Sequence, residues 1–267
     1  MTDQAAAPHV AVAAQLSLDP GPSPAAYRAA LVLEALARRR EATTLTELVA
    51  LLELPKSSVA NVLLSLEAAA MVRRSARGWL LGYKVLELSR SLLISTDLVA
   101  EFRRTAASLP ALRGETVLLG VLEGLEVLYV ARSEGNQPIR FVNDIGSRNP
   151  AVVTGLGKAM MSVLPDADLQ ARLALIDELP TPTPRSHRTV AALRDDLLAS
   201  RRRGHAVDEE QGVPGVICLA VAVPGALVPT AVSTTLISRR GTPELRAQLV
   251  RDLHVLADRL GALERTS

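Results

Sequence analysis

Apolar residues recur three and four positions apart over 25–40 (AAYRAALVLEALARRR), again over 47–54, and again from residue 56 onward. That spacing predicts three short helices within about fifty residues. A basic turn closes the first, suiting the negative end of a helix dipole. Thr44 or Thr46 stands where an N-cap would open the second. Pro55 sits where the third begins, a place where the missing N–H has no helical partner to lose. In MVRRSARGWLLGY, residues 71–83, two extended runs flank a turn near Ala76-Arg77-Gly78, which predicts a hairpin. Helical spacing returns over 84–95 and 97–109, and Pro110 and Gly114 end that stretch. From Glu115 the pattern turns β-rich: ETVLLGVLEG and LEVLYVARSEG read as strands joined at Glu123-Gly124, and IRFVND (139–144) as a third. Helices are predicted over 157–164, 166–178 and 190–203. GVICLAVAVPGALVPTAVSTTLI reads as two strands and a tight turn, and Thr242-Pro243-Glu244 opens an amphipathic helix that runs to Glu264.

This order makes the chain α+β. Residues 1–24, rich in Ala, Pro and Ser without a sustained period, are expected to be a disordered tail. A helical domain with a hairpin covers 25–83, a helical linker 84–112, and an α+β domain 113–267. A hydrophobic content of 48% in 267 residues excludes wholesale disorder. The net charge of +2 is small but uneven. Between residues 25 and 83, eight basic side chains face five acidic ones, so the first third carries the positive charge. The lone Cys218 forms no intrachain disulfide and suits a reducing compartment. No apolar run reaches the roughly 18 residues of a membrane span, and no basic region precedes an apolar stretch at the N-terminus. The expectation is a cytoplasmic protein with no membrane partner.

On a helical wheel of the third helix, Val59, Val62, Leu63 and Leu66 share one side, while Ser57, Ala60 and Asn61 take the other, with Ser58 and Ser65 at its edge. A helix that enters the DNA major groove needs this division: one face anchors it, the other offers short polar groups to base edges and phosphates. Lys56 stands at its N-terminus, where free N–H groups also favour phosphate. The hairpin carries Arg73, Arg74 and Arg77, cations suited to the DNA backbone or minor groove. Together these parts make a winged helix-turn-helix. The candidate DNA contacts are Thr46, Lys56, Ser57, Ser58, Asn61, Arg73, Arg74 and Arg77. The plainer reading is an amphipathic helix with serine on its wet side.

Several segments, in order and spacing, resemble the IclR-type bacterial transcription regulators: LTELVALLELPKSSVANVLLSLEAAAMV, the wing ending in WLLGYKVLELS, GETVLLGVLEGLEVLYVAR, IGSRNPAVVTGLGKAMMSVLP and LRDDLLASRRRGHAVDEEQGVPGVICLAVAVPG. The resemblance implies an N-terminal winged helix-turn-helix, a helical linker and a C-terminal GAF-like α/β effector-binding domain. It also implies a homodimer or homotetramer on a palindromic double-stranded operator, repression in most members, and a response to small organic acids or aromatic metabolites. Two features depart from the family pattern. Ala60 and Asn61 stand where members often carry His, Tyr or Arg, and Pro224-Gly225 replaces a longer polar turn.

The resemblance points to Gly155, Leu156, Asp208, Cys218, Ser233 and Thr235 as effector-binding residues. Their chemistry is consistent with a carboxylate ligand. VVTGLGKA sets backbone N–H groups at a helix start. Ser233 and Thr235, two apart on a strand, face one side, and Asp208 would accept from a ligand hydroxyl. Plainer readings stand beside these: glycines for a tight turn, Cys218 as a small buried hydrophobe, and Asp208 with Glu209 and Glu210 as a solvated turn. Arg201, Arg202 and Arg203 read as a solvated helix end. GLGK lacks the spacing of a phosphate loop. His9, His187, His205 and His254 show no metal-ligand spacing, and no hydrolase elbow or dinucleotide fingerprint is present, so no catalytic residue, metal or cofactor is expected. A Cys218–His205 nucleophile pair has no other support. The expected function is sequence-specific transcription regulation, as a repressor answering to a small organic-acid or aromatic metabolite. Rivals are an effector-independent architectural DNA-binding protein and, further off, a small-molecule enzyme.

Overall fold

The computed structural model describes residues 23–39, 41–94, 97–135 and 143–265. They fall into two compact units, one reaching to residue 94 and the other beginning at 97. Most of the expected tail, Arg40, and residues 139–142 of the expected IRFVND strand lie outside the described residues.

The N-terminal unit runs α1 (Pro24–Arg39), α2 (Leu45–Leu52), α3 (Lys56–Ala68), β1 (Val72–Ser75), β2 (Gly78–Leu81) and α4 (Lys84–Ile94). Of the two threonines that stand as cap candidates, Thr44 caps α2. Its hydroxyl accepts from Glu47 N at 3.2 Å, and the Glu47 carboxylate accepts from Thr44 N at 2.8 Å. This reciprocal box satisfies two amides that the helix leaves open. Glu53, left-handed at φ 52°, turns the chain, and α3 leaves α2 bent by 117°. The core gathers Val32, Leu36, Leu48, Val59, Leu63, Leu66, Val72 and Trp79. The apolar stripe of α3 is therefore an anchor, with Val62 packed at its margin. β1 and β2 pair antiparallel, and Thr43 adds a third rung through two backbone bonds with Trp79. Gly78 (φ 136°) permits this, since a Cβ there would lie 2.6 Å from the Thr43 carbonyl.

The C-terminal unit runs α5 (Asp97–Ser108), β3 (Thr116–Glu123), β4 (Glu126–Ser133), β5 (Arg148–Pro150), α6 (Gly155–Ser162), α7 (Asp166–Leu173), α8 (Val190–Arg203), β6 (Ala206–Glu209), β7 (Val216–Ala222), β8 (Thr230–Ile237) and α9 (Pro243–Glu264). One antiparallel sheet has the order β5-β4-β3-β8-β7-β6. α9 and α5 cover one face, where Val117, Leu119, Ile217, Val232, Leu236, Leu249, Leu253 and Leu256 are buried. α6 lies on the other face with α8 behind it. Every residue of α6 is buried. It comes this close because Gly157 has no side chain: a Cβ would stand 2.2 Å from the Ala151 carbonyl oxygen.

Helices α8 and α9 follow their predicted spans, while α7 ends at Leu173, well short of residue 178. The turn between β7 and β8 is not tight, for residues 223–229 connect the strands. The acidic stretch is not a solvated turn: it enters β6, and Asp208 is 4% exposed. Arg201 is not a free helix end, since it donates to the carbonyls of Ser162 and Leu164 and to Asp166. Arg203 likewise bonds Ser200 and the His205 carbonyl.

Candidate functional site

Two sites emerge, one in each unit. On α3 the exposed positions are Ser57, Asn61, Leu64, Ser65 and Ala68, a stripe opposite the anchored face, with Lys56 exposed at the helix start. Among the described residues, Lys56, Ser57 and Asn61 make no side-chain hydrogen bond or ion pair, so their polar groups are available. Ser58 and Ser65 are not equally free. Arg28 of α1 donates to Ser58 Oγ at 3.2 Å, and Ser65 Oγ donates to the Asn61 carbonyl at 2.9 Å. Thr46 is exposed in the first turn of α2. The wing divides its arginines. Arg74 lies over the Trp79 ring at 4.6 Å and pairs with Glu67 at 3.7 Å, and Arg73 lies over Tyr83 at 5.4 Å. Arg77, in the two-residue turn at the tip, is exposed and, among the described residues, forms no ion pair.

In the C-terminal unit, strand register brings the second group together. Asp208 pairs with Cys218, Cys218 with Thr235, and Thr235 with Thr116, a row across β6, β7, β8 and β3. Ser233 stands two positions along β8, beside Leu118 and Ala220. Directly opposed residues share a face, and this is the face beneath α6. A Cβ on Gly155 would lie 3.0 Å from the Cys218 Cβ, so the start of α6 rests on that row. Leu156 is buried, directed toward Gly120 of β3. Cys218 is no mere hydrophobe: its thiol lies 3.4 Å from Thr235 Oγ1, and Asp208 is its partner across the strands. Burial, with the Asp208 charge adding, pushes that thiol up to about 12. Such a shift disfavours the thiolate and lends a Cys218–His205 nucleophile no support.

Burial raises the Asp208 carboxyl above its ordinary value; the Lys158 charge and the amides of Gln211 and Gly212 oppose it. Ser233 is a buried residue on the same face. Tyr129 of β4 belongs to the same face, with its hydroxyl accepting from Asn149 Nδ2 at 3.2 Å. Neither Tyr129 nor Asn149 is singled out by sequence reasoning. A tyrosine inside an apolar strand is a signal of a sort, but its neighbours depend on register. Among the described residues no three of His, Cys, Asp and Glu converge to hold a metal ion, and no single helix is long and apolar enough to cross a membrane.

Residues 90–262 match the model for the bacterial transcriptional regulator IclR C-terminal domain, and residues 25–76 match the IclR helix-turn-helix domain. The HTH-type transcriptional regulator BhcR of Paracoccus denitrificans is 30% identical over 67% of this chain, which spans 65% of that relative's length. The protein named "Probable transcriptional regulator SauR" of Cupriavidus necator is 32% identical over 74% of this chain and 79% of its own. The solved structure of an IclR homolog from Microbacterium hydrocarbonoxydans, complexed with 4-hydroxybenzoate, aligns with a TM-score of 0.74. At 20% identity it covers 90% of this chain and 98% of its own, and shows a common fold.

Proposed function

The chain belongs to the IclR family of bacterial transcriptional regulators, and on that footing we propose that it is a cytoplasmic, non-enzymatic repressor whose operator binding is set by a small carboxylate effector. The observation that carries the DNA half is the exposed stripe of α3: among the described residues, Lys56, Ser57 and Asn61 stand without side-chain partners opposite the face that Val59, Leu63 and Leu66 anchor. Asn61 suits an adenine edge, Lys56 and Arg77 suit phosphates, and Thr46, Ser58, Arg73 and Arg74 are further candidates for contact. A homodimer, or a homotetramer built from two, would set a pair of such helices into successive major grooves about one turn apart.

The effector half rests on Gly155, Leu156, Asp208, Cys218, Ser233 and Thr235. Hydroxyls and helix-start amides suit a carboxylate, and Asp208 suits a donor at the other end of the ligand. The 4-hydroxybenzoate held by a family member has both groups. Such a ligand changes operator occupancy only if it binds the DNA-competent and DNA-free states unequally.

The test begins with purified protein and fragmented genomic DNA. Enrichment of fragments sharing an inverted repeat is expected; fragments enriched without any common sequence overturn specific recognition. On the recovered operator, hydroxy acids including 4-hydroxybenzoate are then titrated. Ser233→Ala with Thr235→Val is expected to abolish the response while leaving operator affinity unchanged, and a full response in that variant refutes this placement of the effector.

A further inference from the structure

We propose that Lys158 is a positioning residue of the effector site, pinning from α6 the 208–212 turn that aims the Asp208 carboxylate; the proposal rests on the effector reading above. Lys158 is wholly buried, yet its ammonium donates in three directions. It reaches Asp196 Oδ2 on α8 at 2.7 Å, the Val207 carbonyl on β6 at 2.5 Å, and Gln211 Oε1. Its three N–H donors are matched by three acceptors from three segments, so the ammonium is a hub and not a stray buried charge.

The Gln211 contact is the one that reaches the site. Gln211 N donates to Asp208 Oδ1 at 2.7 Å, and Gly212 N donates to the same oxygen at 3.2 Å. Gly212 is needed there because a Cβ would lie 2.7 Å from the Val153 carbonyl oxygen, just before the start of α6. A second set of bonds closes the turn from outside. Thr183 Oγ1 donates to the Glu210 carbonyl and Ser186 Oγ to the Gln211 carbonyl, both at 2.7 Å. His187 Nε2 lies 3.0 Å from Asp196 and 3.1 Å from Gln211 Nε2. Ser186 and His187 thus end on Gln211, His187 also meets Asp196, the acid that balances Lys158, and Thr183 holds the adjoining Glu210 carbonyl.

The charge matters as much as the geometry. Lys158 from α6, the Cys218 thiol from β7 and the Tyr129 hydroxyl from β4 are the titratable groups that act on Asp208; on its own strand, Glu209 is paired with Arg246. Of these only Lys158 is a cation, and it favours the ionised carboxylate against burial. One Asp208 oxygen is committed to the turn. The other oxygen is left to meet a hydroxyl or an N–H of a ligand.

The test needs no ligand. Carboxyl carbons are followed by NMR against pH in the full chain, with Asp208→Asn identifying the resonance. In Lys158→Met/Asp196→Asn, which removes both charges so that neither is stranded, Asp208 is expected to titrate at a higher pH than in the wild type. The Gln211 and Gly212 amides should exchange about tenfold faster. Unchanged titration and exchange in the folded double variant overturn the proposal. Should that variant not fold, Gln211→Ala leaves the Lys158–Asp196 pair intact and asks the same question of the Gly212 amide: protection lost supports the pinning, protection kept refutes it. Wild-type operator binding that no acid alters sinks the effector reading instead, and leaves these two readouts standing by themselves.

Discussion

Arg77 at the wing tip and Arg74 two strand positions into it carry the same charge and differ in what surrounds them. Arg74 is spent on Trp79, its partner across the wing, and on Glu67, which ties the wing to α3. Arg77 and Lys56 have no such claims among the described residues. Arg77→Ala and Lys56→Ala should each lower the slope of log affinity against log salt by about one, with sequence preference retained. Arg74→Ala should move that slope less and weaken the wing more. Anisotropy titrations on operator and on scrambled DNA between low and high salt decide the matter, and slopes left intact in the first two variants would remove both residues from phosphate contact. Asn61→Ala should instead relax discrimination, by about 1–3 kcal/mol at one base pair if the amide reads an adenine.

At the level of elements, α6 is the piece on which the C-terminal unit is built. It is buried all round, as a helix packed on every side by its neighbours is. Gly157 supplies the closest approach, to the backbone of Ala151, where nothing flexible can move aside. Gly157→Ala should destabilise the unit by about 1–3 kcal/mol through overpacking. Gly114→Ala is the control, because nothing stands within 4 Å of a Cβ there, and it should stay within about 0.5 kcal/mol. Chemical denaturation of both variants checks the pair; equal midpoints would mean that α6 has room to shift.

Over the whole molecule, acid stability should follow Asp196. Burial works against its ionisation, but the His187 hydrogen bond and Lys158 outweigh it and hold the carboxyl well below the usual range. A folded-state value below the unfolded one of about 3.9 means that the ion pair stabilises at pH above about 4 and that this stability drains away as pH falls further. Asp208 has the opposite sign: raised in the folded state, it favours folding most once protonated. Melting temperatures of wild type and Asp196→Asn between about pH 2 and 7 should therefore differ most at neutral pH and converge in acid. Parallel profiles would mean that Asp196 adds no pH dependence.

Sequence alone determined what local chemistry dictates: the periods of α1, α3, α8 and α9, the hairpin at the wing, and the division of α3 into a wet and a dry side. These signals lie within one or two helical turns, where side-chain spacing and capping decide the outcome. It also named Asp208, Cys218, Ser233 and Thr235 together, although only the resemblance linked them. Register decided that Asp208, Cys218 and Thr235 form one row, with Ser233 two positions along on the same face, and register is a property of paired strands far apart in the chain. β6 escaped detection because four residues carry too little pattern, and β5 is shorter still. Lys158 is the clearest case. A lone cation inside LGKAMM is odd in sequence, but its role depends on acceptors 38, 49 and 53 residues away, and only tertiary packing brings them to one point.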